Sequence, residues 1–324
     1  MTNAVRSSPF PTQAAVADRF NALFAPLDLR PFPGLADQAR KLMTAEGMRA
    51  KYHALRGHLV NVPDLAGSRG LDVGCGYGLP ICLMRLMGAG RLLGCDVLAE
   101  RIAGARHWLA QLGMPDIDFT ANPPDGLPLG DASVDWVTAI GLYANLNLAA
   151  TRRLFEDVRR VLRPGGLFLL NESTNPHFPP VRQAIADRFR EEEQPGGSLF
   201  EERRAHIRDR APGLGEDALA TLTRSTCYLW GAALDDAVIA FLSHGTMPAS
   251  QLDVADLSRV PLRARSGNLV MRPCDPWDLR GELAACGFSV RFRTPAADRF
   301  LEEGDMEAYF SRSRGVFVVA RAGA

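Results

Sequence analysis

Residues 71–78 read LDVGCGYG, which sets glycines at 74, 76 and 78 directly behind an aspartate at 72. Glycines at such spacing let a ligand approach the main chain closely and let the turn take positive φ. A dinucleotide fingerprint, G-x-G-x-x-G, would need its third glycine at 79, and position 79 is leucine. Asp72 precedes the glycines, where its charge would repel a pyrophosphate and favour a ligand that carries positive charge. Asp96 lies 20 residues beyond Gly76, at the end of the apolar run RLLGCD. A carboxylate in that place can accept both hydroxyls of a ribose, as the acid beside the ribose does in other nucleotide-binding α/β folds.

These side chains need elements to hold them, and the patterning from Arg69 onward supplies them. RGLDVG, RLLGCDV, DIDFTA, VDWVTAIGLY and LFLLNES are short apolar runs that read as strands. Between them lie LPICLMRLMGA, AERIAGARHWLAQLG and TRRLFEDVRRVL, which read as helices, the first with Pro80 suited to its first turn and the second ending at Gly113. Such alternation predicts a parallel sheet wound by right-handed crossovers. It stops over 174–275, a charge-rich and mainly helical stretch too long to be a plain loop. It resumes with DPWDLRGELAACGF as a helix and SVRFRT and GVFVVARA as strands. Ahead of the core, residues 13–60 have helical spacing broken at Pro26, Pro31 and Pro33, and the Ser/Pro-rich residues 1–12 read as frayed. The expected organisation is an N-terminal helical extension at 1–65, a core at 66–173, an inserted helical cap at 174–275, and completion of the core sheet at 276–324.

LDVGCGYG, GCDV, LPLGDASVDWVTA and LRPGG follow one another over residues 69–172. In order and spacing they resemble the successive motifs of the class I methyltransferases that use S-adenosyl-L-methionine (SAM), and 276–322 supplies the closing helix and strands. The resemblance implies an α/β fold: a Rossmann-like, seven-stranded, mostly parallel sheet with flanking helices, its last strand antiparallel. It also implies a methyl-transferring enzyme with SAM as cofactor, whose ammonium and sulfonium suit Asp72. Under it, Asp72, Gly74 and Gly76 hold the methionine end, with Cys75 and Gly78 in the same loop. Asp96 takes the ribose, Val97 lies against the adenine, and Ile140 and Gly141 floor the pocket. Asn122 meets the adenine amino group where many members carry Asp, and ANPPDGLP is about one residue longer than the usual pattern. NPPD at 122–125 is like the signature of enzymes that methylate amino groups, but it precedes the fourth strand and ends in Asp. RPGG at 163–166 reads as a tight turn with no ligand.

Two groups near the carboxyl ends of the strands are candidates for catalysis. His177, just after the fifth strand, could take a proton from a hydroxyl as the methyl transfers, and Tyr143 lies beside the pocket floor. Since methyl transfer draws much of its rate from positioning, a dedicated base is not required. In the insertion, FEERRAHIRDR clusters Arg203, Arg204 and Arg208. Paired guanidinium donors there would bind a carboxylate or phosphate on the acceptor; the competing reading is a solvated helix with local ion pairs. The expected reaction is methylation of a small-molecule or glycan-like acceptor, at oxygen and on an anionic molecule. Alternatives are other chemistry on bound SAM, or a fold of this kind serving as a non-catalytic partner-binding module.

Composition narrows the partners. The 324 residues carry 37 Lys+Arg against 37 Asp+Glu, so no net field exists to hold a polyanion, and nucleic acid is not an expected partner. Lysine is confined to Lys41 and Lys51. The six cysteines form no CxxC pair, and the histidines are scattered, so neither a disulfide framework nor a metal site is expected. The first twenty residues have no apolar signal-like run, and no stretch of about 18 apolar residues occurs. A cytoplasmic protein with no membrane partner is the expectation; a homo-oligomer is compatible with it.

Overall fold

A computed structural model of the chain describes residues 10–122, 126–227, 229, 231–246, 262–263, 269–294 and 299–323. The frayed stretch expected at 1–12 lies mostly outside the described residues, as do the last three residues of NPPD.

Three helices come first: α1 (Gln13–Phe24), α2 (Pro33–Leu42) and α3 (Ala45–Leu59). Their boundaries follow the punctuation of the sequence. Thr12 and Thr44 cap α1 and α3 by accepting backbone N–H groups, and Pro33 opens α2, where a missing N–H costs nothing. The core then runs β1 (Arg69–Val73), α4 (Leu79–Leu86), β2 (Arg91–Asp96), α5 (Ala99–Leu112), β3 (Ile117–Ala121), β4 (Val134–Ile140), α6 (Leu148–Val161) and β5 (Leu162–Glu172). Pro80 sits in the first turn of α4 and Gly113 ends α5 in the left-handed conformation, as the sequence requires.

The insertion contributes α7 (Pro179–Glu192), α8 (Ser198–Arg210), α9 (Glu216–Thr226) and α10 (Gly231–His244), then an antiparallel pair, β6 (Leu262–Arg263) and β7 (Leu269–Met271). Its helices close over a small apolar core of their own, made by Ile207, Leu219, Leu222, Leu234 and Val238. The chain returns through α11 (Pro276–Ala285), β8 (Phe288–Thr294), β9 (Arg299–Phe300), α12 (Met306–Phe310) and β10 (Val316–Ala322).

One sheet unites the core in the order β3-β2-β1-β4-β5-β10-β8-β9. β1 through β5 are mutually parallel, and β10 runs antiparallel to both β5 and β8. Among the described residues the sheet therefore has eight strands rather than the expected seven, because the two-residue strand β9 pairs with the end of β8 at the edge. Both faces are covered, so strand residues alternate between two apolar layers. Leu167 and Leu169 of β5 pack with Trp108 and Phe119 on the side of α1–α5, while Phe168 and Leu170 pack with Phe155 and Leu279 on the side of α6 and α11.

RPGG departs from its expected form. Val134 pairs with Leu162, yet Trp136 pairs with Leu167, so the single residue Asp135 of β4 lies opposite four residues of β5, 163–166. Residues 163–166 are thus a bulge inside β5, with Gly165 at φ +74°, rather than a turn before it. Among the described residues no helix is long and apolar enough to cross a membrane, and no group of three or more His, Cys, Asp or Glu could hold a metal. All six cysteines are free, and only Cys286 is not fully buried.

Candidate functional site

The strand order reverses between β1 and β4, since β2 and β3 lie on one side and β5 on the other. In open α/β sheets that switch point leaves a crevice outside the carboxyl ends of the strands. A cleft of about 730 Å³ lies there, lined by residues between 73 and 160 from the ends of β1–β4 and from one face of α6 along its length, Ala150 to Arg160.

Local geometry makes the glycine loop. Gly74 and Gly76 take φ of +70° and +58°, which a side chain would resist. At Gly74 a Cβ would also strike Leu142 at 2.8 Å, whereas at Gly76 nothing lies within 4 Å, so space is left over the backbone. Gly76 N–H donates to Asp96 Oδ2 and Leu98 N–H to Asp96 Oδ1, each at 2.9 Å. The carboxylate is thereby fixed while each oxygen keeps lone-pair capacity. Arg101 approaches it at 3.7 Å from the rim.

Asp72 lies beneath the loop, buried, with one oxygen accepting the Thr138 hydroxyl at 2.7 Å. Burial raises its pKa from 3.8 to about 7, against the lowering pull of the Thr138 hydrogen bond and the charge of Lys51 on α3. Burial lowers the Lys51 pKa in turn, and the Asp72 charge opposes that fall.

At the other end of the cleft Val97 and Leu98 are 69% and 48% exposed, unusual for such side chains, and they offer an apolar platform. Asn122 is tied by its N–H to Asp96 O at 2.9 Å, and its buried Oδ1 has no hydrogen-bond partner among the described residues. A buried acceptor left unpaired is costly, and the exocyclic amine of an adenine would satisfy it. The residues present therefore fit SAM: an acid for the ribose, a platform and an orphan acceptor for the adenine, and an acid under a glycine loop for the cationic end.

The wall beyond Asn122 is held from α6. Arg160 donates to Leu129 O at 2.6 Å, Leu127 O at 3.1 Å and Asp131 at 3.0 Å, and Asp157 accepts the Leu127 N–H. Sequence reading missed this clamp, along with Thr138, Lys51 and Leu142. Their partners are remote in the chain, and only the i,i+3 spacing of Asp157 and Arg160 on one helix face was visible beforehand.

Of the residues expected to bind cofactor, Gly74, Asp96, Val97, Asn122 and Gly141 line the cleft. Asp72 and Gly76 back them, and Ile140 is half-buried among apolar neighbours. Gly78 and Cys75 serve the fold instead. A Cβ at Gly78 would meet Phe119 at 2.4 Å, and the Cys75 thiol is buried, its pKa pushed far up by desolvation.

Three further expectations need correction. Tyr143 is buried, its hydroxyl 3.3 Å from Glu282 and its ring under the Arg272 guanidinium at 4.2 Å. Burial drives its pKa well above the ordinary phenol value, so it is a packed, protonated group and not a base. Arg203 is 0% exposed and donates to the carbonyls of Thr226 at 3.3 Å and Leu229 at 2.7 Å, tying α8 to the end of α9. Arg204 and Arg208 both pair with Glu216 at 2.6 Å. These three arginines hold the insertion together and do not line the cleft. His177 does not line it either; it stands at the end of the neighbouring strand, paired with Asp275 at 2.7 Å.

Residues 71–166 match a family model described as "Methyltransferase domain". A ribosomal protein L11 methyltransferase of Pseudomonas paraeruginosa is 29% identical over 126 residues, 39% of this chain and 40% of its own length. A ubiquinone/menaquinone biosynthesis C-methyltransferase of Hahella chejuensis is 34% identical over 123 residues, 37% and 48% of the two chains. An arsenite methyltransferase of Halobacterium salinarum is 32% identical over 109 residues, 33% and 27%. The chain spans less than half the length of these curated relatives, and their names denote different acceptors. Among solved structures, a SAM-dependent methyltransferase from Mesorhizobium loti aligns with TM-score 0.44 at 18% identity, covering 84% of this chain and 97% of that one. One from Aquifex aeolicus aligns with TM-score 0.44 at 13% identity, covering 91% and 99%.

Proposed function

We propose that this chain, whose residues 71–166 match a methyltransferase-domain model, transfers the methyl group of SAM to an oxygen of a small-molecule or glycan-like acceptor. The observation that carries the cofactor half is the Asp96 carboxylate, held by two backbone N–H groups at the rim of the cleft, beside the Asn122 Oδ1 that has no partner among the described residues. Asp96 would hold the ribose hydroxyls, Asn122 the adenine amine, Val97 and Leu98 the flat of the base, and the Gly74–Gly76 loop over Asp72 the methionine end. SAM supplies an electrophilic methyl on a positively charged sulfur. The protein's contribution is to fix that end of the cofactor in line with the acceptor, since positioning alone lowers such a barrier substantially.

A small acceptor is favoured by the balanced charge of the chain, which provides no field for a nucleic acid. An anionic acceptor is not retained, because the arginines that suggested it are engaged within the insertion. Incubation with SAM tritiated on the methyl group, with a metabolite extract as acceptor pool, tests the reading. Label should enter the small-molecule fraction. Label confined to protein or RNA, or SAM bound without any transfer, would favour a macromolecular acceptor or a non-methylating role.

A further inference from the structure

The stretch 141–151, which follows β4 and enters α6, has two faces. Gly141, Leu142, Asn145, Leu146 and Ala150 line the cleft. Tyr143, Ala144 and Thr151 do not, and Arg272 meets all three. Arg272 N–H donates to Ala144 O at 2.9 Å, its guanidinium donates to Thr151 Oγ1 at 2.9 Å, and the same group lies over the Tyr143 ring at 4.2 Å. Glu282 on α11 accepts from that guanidinium and takes the Tyr143 hydroxyl at 3.3 Å. Glu172, at the end of β5, accepts Ala144 N–H at 3.3 Å, so both main-chain polar groups of Ala144 are held.

Arg272 is buried and lies one residue past β7, at the end of the insertion and outside the residues 71–166 that match the methyltransferase-domain model. Its carbonyl accepts the Thr174 hydroxyl at 3.5 Å, and Cys274 N–H donates to Thr174 O at 3.0 Å, which pins this segment to the turn after β5. Thr151 is fully buried in the first turn of α6, whose face from Ala150 to Arg160 lines the cleft, so a shift there moves the whole wall. Taking a guanidinium out of water is costly even when it is paired, so a buried one is weak evidence for stability. Here its contacts converge on the geometry of one stretch of the cleft wall.

We propose, on the basis of the SAM-binding reading above, that Arg272 is a positioning residue through which the inserted segment sets the cofactor cleft. The wall at 141–151 takes its SAM-binding form only while the end of the insertion is seated against it. SAM and the seated insertion then favour one another equally in both directions, because such coupling is reciprocal.

The test uses the full chain and SAM. In titration calorimetry Arg272→Met should weaken SAM binding about 10-fold, within the usual range of coupling between sites. Arg272→Lys should recover part of that loss, and Thr151→Val should cost about 3-fold, the scale of one net hydrogen bond. Amide hydrogen exchange should quicken over 141–151 in Arg272→Met while the strands β1 and β4 stay protected. In the reverse direction, saturating SAM should slow exchange over 269–275 in the wild type and not in Arg272→Met. A merely structural arginine would lower the unfolding midpoint and leave both the SAM affinity of the folded protein and this reciprocal protection unmoved; that result would overturn the proposal. Affinity restored by adding Glu282→Gln to Arg272→Met would overturn it too, since the loss would then belong to a stranded carboxylate. If Arg272→Met does not fold, Thr151→Val and the wild-type protection of 269–275 decide: no change in either refutes the coupling. A wild type that fails to bind SAM would overturn the parent reading instead.

Discussion

Two aspartates at the carboxyl edge of the sheet are placed in opposite surroundings. Asp96 receives two backbone N–H groups at 2.9 Å, so its charge is paid for before any ligand arrives. Asp96→Ala should weaken SAM binding by about 1.5–3 kcal/mol, the scale of charge-assisted hydrogen bonds, by titration calorimetry. Asp72 has one hydroxyl partner and is buried, and its pKa is raised to about 7. A folded pKa above the unfolded value means that the folded chain binds this proton more tightly. The stability so gained is full below the unfolded value and is lost as pH rises through about 7. Affinity for a cationic ligand runs the other way, because the carboxylate ionises over the same window. SAM affinity should therefore rise several-fold between pH 6 and 8, and Asp72→Asn should flatten that profile; a flat wild-type profile would remove Asp72 from the site. The acids and glycines were legible in the sequence because one strand–turn–helix unit and the next strand's end contain them all. Thr138, which reaches Asp72 across 66 residues, was not, because strand adjacency is decided only on folding. The same holds for Asp275: His177 stood out after a strand, but its partner did not.

At the scale of elements, the strands and helices followed from apolar periodicity, and Pro80 and Gly113 marked the start of α4 and the end of α5. RPGG did not, since a Pro-Gly pair signals a reversal equally well whether it ends a strand or bulges from one. The arginines of α8 were misread for a similar reason. Arginine at helical spacing looks the same whether it faces water, a ligand or the carbonyls of a neighbouring helix end, and only the packing of α9 shows that Arg203 meets Thr226 and Leu229. Arg203→Gln should cost about 2–4 kcal/mol in urea unfolding, since it strips charged donors from buried carbonyls. Arg204→Gln with Arg208→Gln should leave the midpoint within error, because both pairs are exposed to solvent. Equal effects would contradict this placement. On α6, Arg160→Gln should speed amide hydrogen exchange across 127–131 and weaken SAM binding, because the wall beside Asn122 hangs on that guanidinium. Unchanged exchange would show that the wall stands without it.

For the molecule as a whole, the reversal of strand order at β1 and β4 places the cleft, and every other feature of the site follows from that position. The sheet's class was legible from alternation and from the family resemblance, whereas the edge strand β9 was not, being only two residues long. The insertion packs around its own core and rejoins the site through Arg272 N–H to Ala144 O at 2.9 Å, beside the loop that follows β4. The central claim is that the cleft is built for a cationic adenosyl ligand and not for a dinucleotide. Calorimetric titration of the full chain with SAM and, separately, with NAD tests it most directly. SAM should bind at one site, with the Asp96→Ala variant clearly weaker, and NAD should give no saturable heat. NAD binding more tightly than SAM, or SAM binding indifferent to Asp96→Ala in a folded protein, would contradict it.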